Sequence, residues 1–269
     1  MIGLGSNRLT VCRRGGMSVT QAGRGGMEWL AGGRMPSWVS PYSAAATAAL
    51  KAQFPTQWPT IRDYGFAHPA LVPFINEDPM LVMSLIEGLG TRWLVGDGNC
   101  YFATDVSLDY NDTIKTLCNV PSGQNNMVLG TRLSNGKGTI LGIWSDGKTY
   151  TGWFSNNAPA LNPSLAYGTD LEIEMNKNGL WYNGTKATSF DVGSSFSDTS
   201  KFHWFTCPAG SGVNANMSKG KGAYAEIVGK VKLVPFKRNG ANGALDLQTL
   251  TYIAKSGTGT FTELIDSPS

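Results

Sequence analysis

The sequence has few of the residues that most catalytic and metal sites use. Only two histidines, His68 and His203, occur among its 269 residues. The sequence therefore offers few residues for a histidine-based catalytic triad or a metal cluster. We expect no metal and no cofactor.

Cysteine is also scarce, and its four positions form no Cys-x-x-Cys pair: Cys12, Cys100, Cys118 and Cys207. Because no secretory signal is visible, we expect free thiols rather than disulfides. The alternative is a single bridge between Cys100 and Cys118 across neighbouring strands, which their spacing permits but does not require.

Charged residues and long apolar runs are few as well. Charged residues make up 15% of the chain, and the net charge of +3 is too small to indicate nucleic acid or an anionic membrane as a partner of the whole protein. No apolar run approaches the length of a membrane span, and the first residues, MIGLGSNRLTVCRRGGMSV, lack the continuous apolar stretch of a secretory signal.

Residues 1–36 differ from the rest, because they combine Gly-Gly pairs with an excess of arginine over a single acid, Glu28. Glycine-rich sequence loses much conformational entropy on folding and has little to bury. One interpretation is a disordered tail. The other is an attachment arm that binds another protein, and its candidate docking residues are Arg8, Arg13, Arg14, Arg24, Trp29 and Arg34.

Residues 37–79 are predicted to contain a helix and a connector. Ser40 can cap a helix over SPYSAAATAALKAQF, and Pro41 fits its first turn. The helix should end near Phe54, because Pro55 follows. Beyond it, prolines alternate with aromatic residues, which predicts an extended segment that lies over a surface.

From about residue 80, short apolar-rich runs are separated by turn signals such as SNGKG, SDGK, NKNG and YNGT. Many short strands joined by regular turns are typical of β-sandwiches and barrels. We therefore predict a mainly β domain over residues 80–269.

Within that domain, Asp170, Glu172 and Glu174 occur at every second position, so a strand would carry all three carboxylates on one face. Paired carboxylates are the working groups of glycosidases. The apolar residues that alternate with them would occupy the opposite face, which is typical of any half-buried antiparallel strand. We favour a solvent-facing stripe and predict no catalytic residues.

Aromatic side chains near the turns are better candidates for binding, because exposed rings stack on sugar rings. For each of them the alternative is a place in the core, where a sandwich usually buries tryptophan. His203 alternates with aromatic residues in FHWF and is expected to be a packed strand residue. The candidate glycan-binding residues are Trp144, Tyr150, Trp153, Trp181 and Tyr182.

The C-terminal sequence GKVKLVPFKRNGANGALDLQTLTYIAKSGTGTFT combines several recognisable features. They are Val234-Pro235, Gly240, Gly243, Leu245-Asp246-Leu247, Tyr252 and the stretch 257–262. This sequence resembles the end of concanavalin A-like (LamG-like) jelly-roll domains, which occur in gut-bacterial surface proteins and in phage virion proteins. LIEGLGTRWLVGDG is similar to the first strand of that family, and NKNGLWYNGTK to its central hairpin.

The resemblance covers residues 83–269 and implies a jelly-roll β-sandwich, preceded here by the Gly-rich arm and the helical connector. It also implies a strand over residues 85–87, where the local pattern alone would give a helix over residues 78–88. The Glu-x-Asp-x-x-Glu arrangement of the glucanase relatives has no counterpart, nor has the Asp/Asn cluster of calcium-binding lectins. The resemblance therefore argues against catalysis.

Three functional hypotheses follow from this organisation. The first is a non-enzymatic phage virion structural protein, a head decoration, head fibre or tail component. It would assemble in the bacterial host cytoplasm and dock on capsid or tail subunits through its arm. The alternative is a carbohydrate-binding adhesin, a lectin-like module for bacterial surface glycans whose weak binding a homo-oligomer would strengthen. The third is a glycoside hydrolase that uses Glu172 or Glu174.

Overall fold

The computed structural model describes residues 39–133, 137–145, 149–155, 160–161, 167–187, 191–196, 199–209 and 212–266. Antiparallel sheets form a β-sandwich, and a few short helices precede it in the chain. The predicted mainly β sandwich is thus confirmed. The chain divides into two compact units, one ending at Pro73 and the other beginning at Phe74. The predicted domain boundaries at 36/37 and 79/80 stay predictions, and the arm lies outside the described residues.

Three α-helices lie in the first part of the described chain: α1 (Ala44–Gln53), α2 (Trp58–Ala67) and α3 (Val72–Glu77). Two 3-10 helices accompany them, Pro69–Leu71 and Pro79–Ser84. Within the described ranges, no helix is long and apolar enough to cross a membrane.

Helix α1 begins later than the sequence predicted. Ser43, not Ser40, caps it, and its hydroxyl accepts a hydrogen bond from the Ala46 N–H at 3.2 Å. Ser40 instead hydrogen-bonds the Thr47 hydroxyl at 2.7 Å. The predicted end of the helix is confirmed at Phe54.

The extended connector predicted after Phe54 is wrong, because this stretch is largely helical. Pro59 is the second residue of α2 and Pro73 the second residue of α3. Proline has no N–H to donate, but the N–H groups of a first helical turn have no intrahelical partner in any case. These prolines therefore begin helices instead of excluding them.

The strand implied for residues 85–87 is also wrong. Leu85 ends the 3-10 helix Pro79–Ser84, and Gly88 and Gly90 adopt φ angles of 83° and 89°. These left-handed conformations favour glycine and interrupt an extended chain. The first strand therefore begins only at Thr91.

The described strands are short and numerous. In chain order they are β1 (Thr91–Gly96), β2 (Cys100–Ser107), β3 (Thr113–Asn119), β4 (Asn126–Arg132), β5 (Gly138–Ile143), β6 (Thr149–Ser155), β7 (Ala160–Leu161), β8 (Leu171–Asn176), β9 (Gly179–Tyr182), β10 (Thr185–Lys186), β11 (Asp191–Val192), β12 (Lys201–Trp204), β13 (Pro208–Ala209), β14 (Gly212–Val213), β15 (Lys221–Ile227), β16 (Val231–Arg238), β17 (Ala241–Asp246), β18 (Thr251–Ile253), β19 (Ser256–Gly257) and β20 (Phe261–Asp266).

Two large sheets make up the sandwich. Sheet I has the order β10-β9-β8-β3-β15-β16-β17-β18, and β1 joins it by pairing with β15 and β20. Sheet II has the order β11-β6-β5-β4-β12-β2-β19, with β7 beside β6. Strands β13 and β14 form a separate pair. Among the described strands, the pairs are antiparallel except for β11 with β6.

The core is made of alternate residues from both sheets. Leu171, Ile173 and Met175 of β8 enter it from sheet I, and Phe202 and Trp204 of β12 enter it from sheet II. Successive side chains of a strand point to opposite faces, so the residues between these belong to the outer faces. We call the face of sheet I that points away from this core the outer face of sheet I.

The beginning and the end of the sandwich sequence meet. Strand β1 pairs with β20 along its whole length. Just beyond, the Asp97 carboxylate accepts hydrogen bonds from the Thr260 N–H at 2.6 Å and the Asn99 N–H at 2.9 Å. A Cβ on Gly259 would lie 2.0 Å from Asp97 Oδ1, so a larger residue there would displace this carboxylate. Two stretches quoted for the family resemblance, GDG and GTGTFT, are thus in contact.

A buried group of charges lies beside β1. The Arg92 guanidinium donates to Asp78 Oδ2 at 2.7 Å, to Glu263 Oε1 at 2.5 Å and to the Pro235 carbonyl at 3.3 Å. Burial alone would raise the pKa of Glu263, but Arg92 and Lys237 together hold it below its usual range. Asp78 also accepts from the Lys237 N–H at 2.6 Å, which ties the start of the unit to β16.

Candidate functional site

The outer face of sheet I carries a row of polar and aromatic side chains that runs across six strands. Each member lies directly opposite the next one on the neighbouring strand. From β10 to β16, this cross-strand row consists of Lys186, Trp181, Glu174, Lys115, Glu226 and Lys232.

A pocket of about 230 Å³ opens on this face around Trp181. We call it the Trp181 pocket. Carboxylates, an ammonium group and an indole thus share one concavity, which is the combination that ligand sites use to orient a bound molecule. It is lined by Lys115, Glu172, Ile173, Glu174, Trp181 and Gly184.

The hairpin between β9 and β10 holds Trp181 in place. Asn183 and Gly184 form its turn with φ angles of 47° and 77°, the left-handed conformation of both central residues in a type I′ hairpin turn. The Asn183 side chain accepts a hydrogen bond from the Glu172 N–H at 2.8 Å. Lys186, across the hairpin, places its ammonium group 5.1 Å from the centre of the indole.

The charged groups around the pocket are paired. Lys115 Nζ lies 3.0 Å from Glu174 Oε2, and the hydrogen bond and charge of Glu174 raise the pKa of Lys115. Glu172 accepts a hydrogen bond from the Tyr224 hydroxyl at 3.3 Å. Burial raises the pKa of Tyr224, and the charge of Glu172 raises it further, so this hydroxyl stays a donor at neutral pH.

The charges of this surface also balance. Glu172 and the charged members of the cross-strand row comprise three lysines and three glutamates. An uncharged ligand with many hydrogen-bonding groups suits such a surface better than a polyanion or a polycation, which would need an excess of one sign.

The structure confirms that the acidic stripe faces outward, because the residues that alternate with it lie in the core. The sequence did not show that Glu172 and Glu174 share a pocket with Trp181. A signal for this was present in the two-residue turn of NKNG, which pairs Asn176 with Gly179 and therefore sets Glu174 opposite Trp181. Lys115 and Tyr224 come from distant strands, and no local pattern indicated them.

Two of the five candidate glycan-binding aromatics prove to face the core. Trp153 is 0% exposed, and its indole N–H donates to the Tyr110 carbonyl at 3.1 Å. The proposal of a sugar contact at Trp153 is therefore wrong. Tyr182 packs against the core, on the face of β9 opposite to Trp181. It is therefore no part of the Trp181 pocket.

The remaining candidates are not brought together with Trp181. Trp144 is half-buried and follows β5 in sheet II, where its carbonyl accepts a hydrogen bond from the Tyr167 hydroxyl. Tyr150 belongs to β6 of sheet II, but its side chain is outside the described part of the structure. The candidate docking residues of the arm, from Arg8 to Arg34, also lie outside the described residues. Docking to a virion stays a prediction.

His203 is packed in a strand, as the sequence predicted. It stacks on Tyr101 with ring centres 5.3 Å apart, and burial lowers its pKa to about 4. In the part of the chain that the structure describes, no three His, Cys, Asp or Glu side chains are placed to hold a metal ion.

The three described cysteines are free thiols, and all are buried. Burial raises the pKa of Cys100 to about 11 and the pKa values of Cys118 and Cys207 to about 12. The nucleophilic form of cysteine is the thiolate, so these thiols are poorly suited to covalent catalysis.

The fold and the pocket define a β-sandwich protein with an aromatic site on the outer face of one sheet. No protein-family model matches the sequence, and a search of curated proteins gives no match either. The chain is similar to a solved structure from Bacteroides ovatus that is described as a "putative carbohydrate binding protein". The sequence identity is 14% and the TM-score 0.47, and the match covers 66% of this chain and 61% of that chain.

Proposed function

We propose that this chain is a carbohydrate-binding protein and that the Trp181 pocket holds a sugar unit. The observation that carries the proposal is a half-buried indole surrounded by hydrogen-bonding groups whose charges balance. The apolar face of a pyranose ring packs on an indole, and its hydroxyl groups exchange hydrogen bonds with carboxylates and ammonium groups.

The balance of charge points to a neutral glycan. Nucleic acid would require an excess of lysine and arginine facing its phosphates. On this surface each pocket charge has a partner of its own: Glu174 pairs with Lys115, and Glu172 accepts from Tyr224. The resemblance of the sequence to concanavalin A-like jelly-roll domains agrees with the proposal, because that class includes lectins.

We propose further that the pocket binds without catalysis. A glycosidase needs two carboxyl groups, one of which acts as a proton donor. Glu174 is held in an ion pair with Lys115, whose raised pKa keeps the lysine protonated. Glu172 is exposed to solvent, whereas the acid of a glycosidase lies in apolar surroundings.

A microarray of neutral bacterial and plant glycans tests this function. We expect the wild-type protein to bind at least one neutral glycan class and the Trp181→Ala variant to bind it at least about tenfold more weakly. Trp144→Ala is the matched control, because Trp144 is also half-buried but directly follows β5 of sheet II. Both variants should unfold at the wild-type temperature.

Two results would overturn the proposal. One is the failure of the wild-type protein to bind any neutral glycan on the array or on beads that carry the same glycans at high density. The other is binding that persists unchanged in Trp181→Ala. Release of reducing sugar from a bound glycan, lost in Glu172→Gln, would instead show that the pocket is catalytic.

A further inference from the structure

We propose that the binding site extends from the Trp181 pocket across sheet I to Tyr224, so that its ligand is a linear oligosaccharide longer than a disaccharide. This inference rests on the proposed function and specifies the length and direction of the ligand. It comes from the register of the strands and from the contacts that connect the two aromatic side chains.

Trp181 and Tyr224 lie on the same face of sheet I. Trp181 belongs to β9 and Tyr224 to β15, and strands β8 and β3 lie between them. Three strand spacings of about 4.8 Å place the backbones at Trp181 and Tyr224 about 14 Å apart across the sheet. A disaccharide is shorter than this backbone separation. The two aromatic residues also differ in their position along the strands. Trp181 is in register with Glu174, whereas Tyr224 is in register with Glu172, two residues earlier on β8.

Glu172 connects the two ends of this surface. Its side chain lines the Trp181 pocket, and Oε1 accepts the hydrogen bond from the Tyr224 hydroxyl at 3.3 Å. Leu117 lies between Glu172 and Tyr224 in the strand register and is half-buried on the same face. The hydrogen bond between Glu172 and Tyr224 therefore passes over Leu117, and the three side chains form one continuous surface between the two aromatic positions.

The two aromatic positions have similar surroundings. A lysine ammonium group lies over each ring: Lys186 over Trp181 at 5.1 Å and Lys232 over Tyr224 at 5.2 Å. Each ring is half-buried and has a glutamate within reach: Glu174 on the neighbouring strand for Trp181, and Glu172, two strands away, for Tyr224. We therefore assign a second sugar subsite to Tyr224.

Titration calorimetry of the full chain with soluble gluco-oligosaccharides of two to six units tests this inference. The probes are β-1,4-linked, β-1,3-linked and α-1,4-linked series. For the series that binds, we expect affinity to rise at least about tenfold between two and six units. Tyr224→Ala should weaken binding of the hexasaccharide about five- to tenfold and leave the disaccharide unchanged. Tyr101→Ala, which changes a half-buried tyrosine of sheet II, is the control and should have no effect.

A second variant keeps the test decisive if Tyr224→Ala does not fold. Leu117→Arg places a long side chain between the two subsites and should block the hexasaccharide but not the disaccharide. If binding depends on Trp181 but is equally tight for all lengths and insensitive to both variants, the second subsite is wrong and the proposed function stands. If no series binds the wild-type protein and the glycan array is also negative, both proposals fail.

Discussion

Arg92 and Asp78 stabilise the start of the sandwich as a buried ion pair, with side chains only 1% and 5% exposed. Removing one partner of a buried pair leaves an uncompensated charge, which costs more than the pair itself contributes. In Asp78→Ala, Arg92 would keep Glu263, but the Lys237 N–H would lose its acceptor.

We therefore expect Asp78→Ala to lower the free energy of unfolding by about 3 kcal/mol in urea denaturation. Asp105→Ala is the control, because Asp105 is an exposed residue of β2, and its replacement should change stability by less than about 0.5 kcal/mol. Equal stability of the two variants would show that the buried pair does not stabilise the unit.

Glu263 makes part of this stabilisation depend on pH. Its pKa in the folded protein is lower than usual. Its contribution is therefore complete above the ordinary glutamate pKa of about 4.3 and is lost as the pH falls through the lower folded value. The difference in unfolding free energy between wild type and Glu263→Gln should be largest near pH 7 and should shrink below about pH 4.

Chemical denaturation across that pH range measures the difference, and Glu87→Gln, at an exposed residue, is the control for the general effect of removing one carboxylate. A gap between wild type and Glu263→Gln that stays constant from neutral to acidic pH would contradict the assigned pKa direction.

At the level of single residues, the sequence identified candidate aromatic residues but did not show which of them face the core and which face solvent. Trp153 and Trp181 both lie in strands, yet one is in the core and the other lines a pocket. A shift of one residue in strand register exchanges the two faces of a strand, and a single sequence fixes the register only near tight turns. The NKNG turn is such a place, and it determines the neighbours of Trp181.

At the scale of elements, the β9–β10 hairpin is the segment that presents Trp181. Gly184 has a φ angle of 77° with open space around it, so a side chain there would meet no atom but would strain the backbone. We expect Gly184→Ala to cost about 1 kcal/mol of stability and to weaken glycan binding with it.

Gly212→Ala is the control, since Gly212 lies in β14 and a Cβ there would meet only the Ala209 carbonyl oxygen, at 4.0 Å. Thermal unfolding and a glycan titration of both variants check the prediction. Identical behaviour of the two would mean that the hairpin turn does not determine the position of Trp181.

The β elements followed the sequence pattern more closely than the segments before them. Alternation of apolar and polar residues predicted β8, because one of its faces lies in the core. Proline misled the prediction between Phe54 and Pro79, where it begins helices rather than extended chain. The pairing of β1 with β20 joins residues about 170 positions apart, which a local pattern cannot show.

At the scale of the whole molecule, the contacts of Asp78 bear on where the sandwich unit begins. The sequence predicts a domain over residues 80–269, and the second compact unit of the structure comprises residues 74–269. A chain that starts at residue 80 would lack Asp78 and also Phe74, whose ring packs edge-on to Phe236 at 6.0 Å.

We expect residues 74–269 to fold with a cooperative thermal transition and residues 80–269 to melt at a clearly lower temperature or to aggregate. Calorimetry of the two fragments under the same buffer conditions makes the comparison. Equal melting temperatures would show that residues 74–79 are not needed for the stability of the sandwich.

The central claim is that a neutral glycan binds over Trp181. The most direct test follows the indole N–H signals of the uniformly ¹⁵N-labelled protein during titration with a neutral oligosaccharide selected on the glycan array. The signal of Trp181 is assigned by its loss in Trp181→Phe. The account predicts that this signal shifts with increasing ligand concentration, while those of the buried Trp153 and Trp204 stay in place. Shifts at Trp144 without any at Trp181 would contradict it, because they would place the ligand on sheet II.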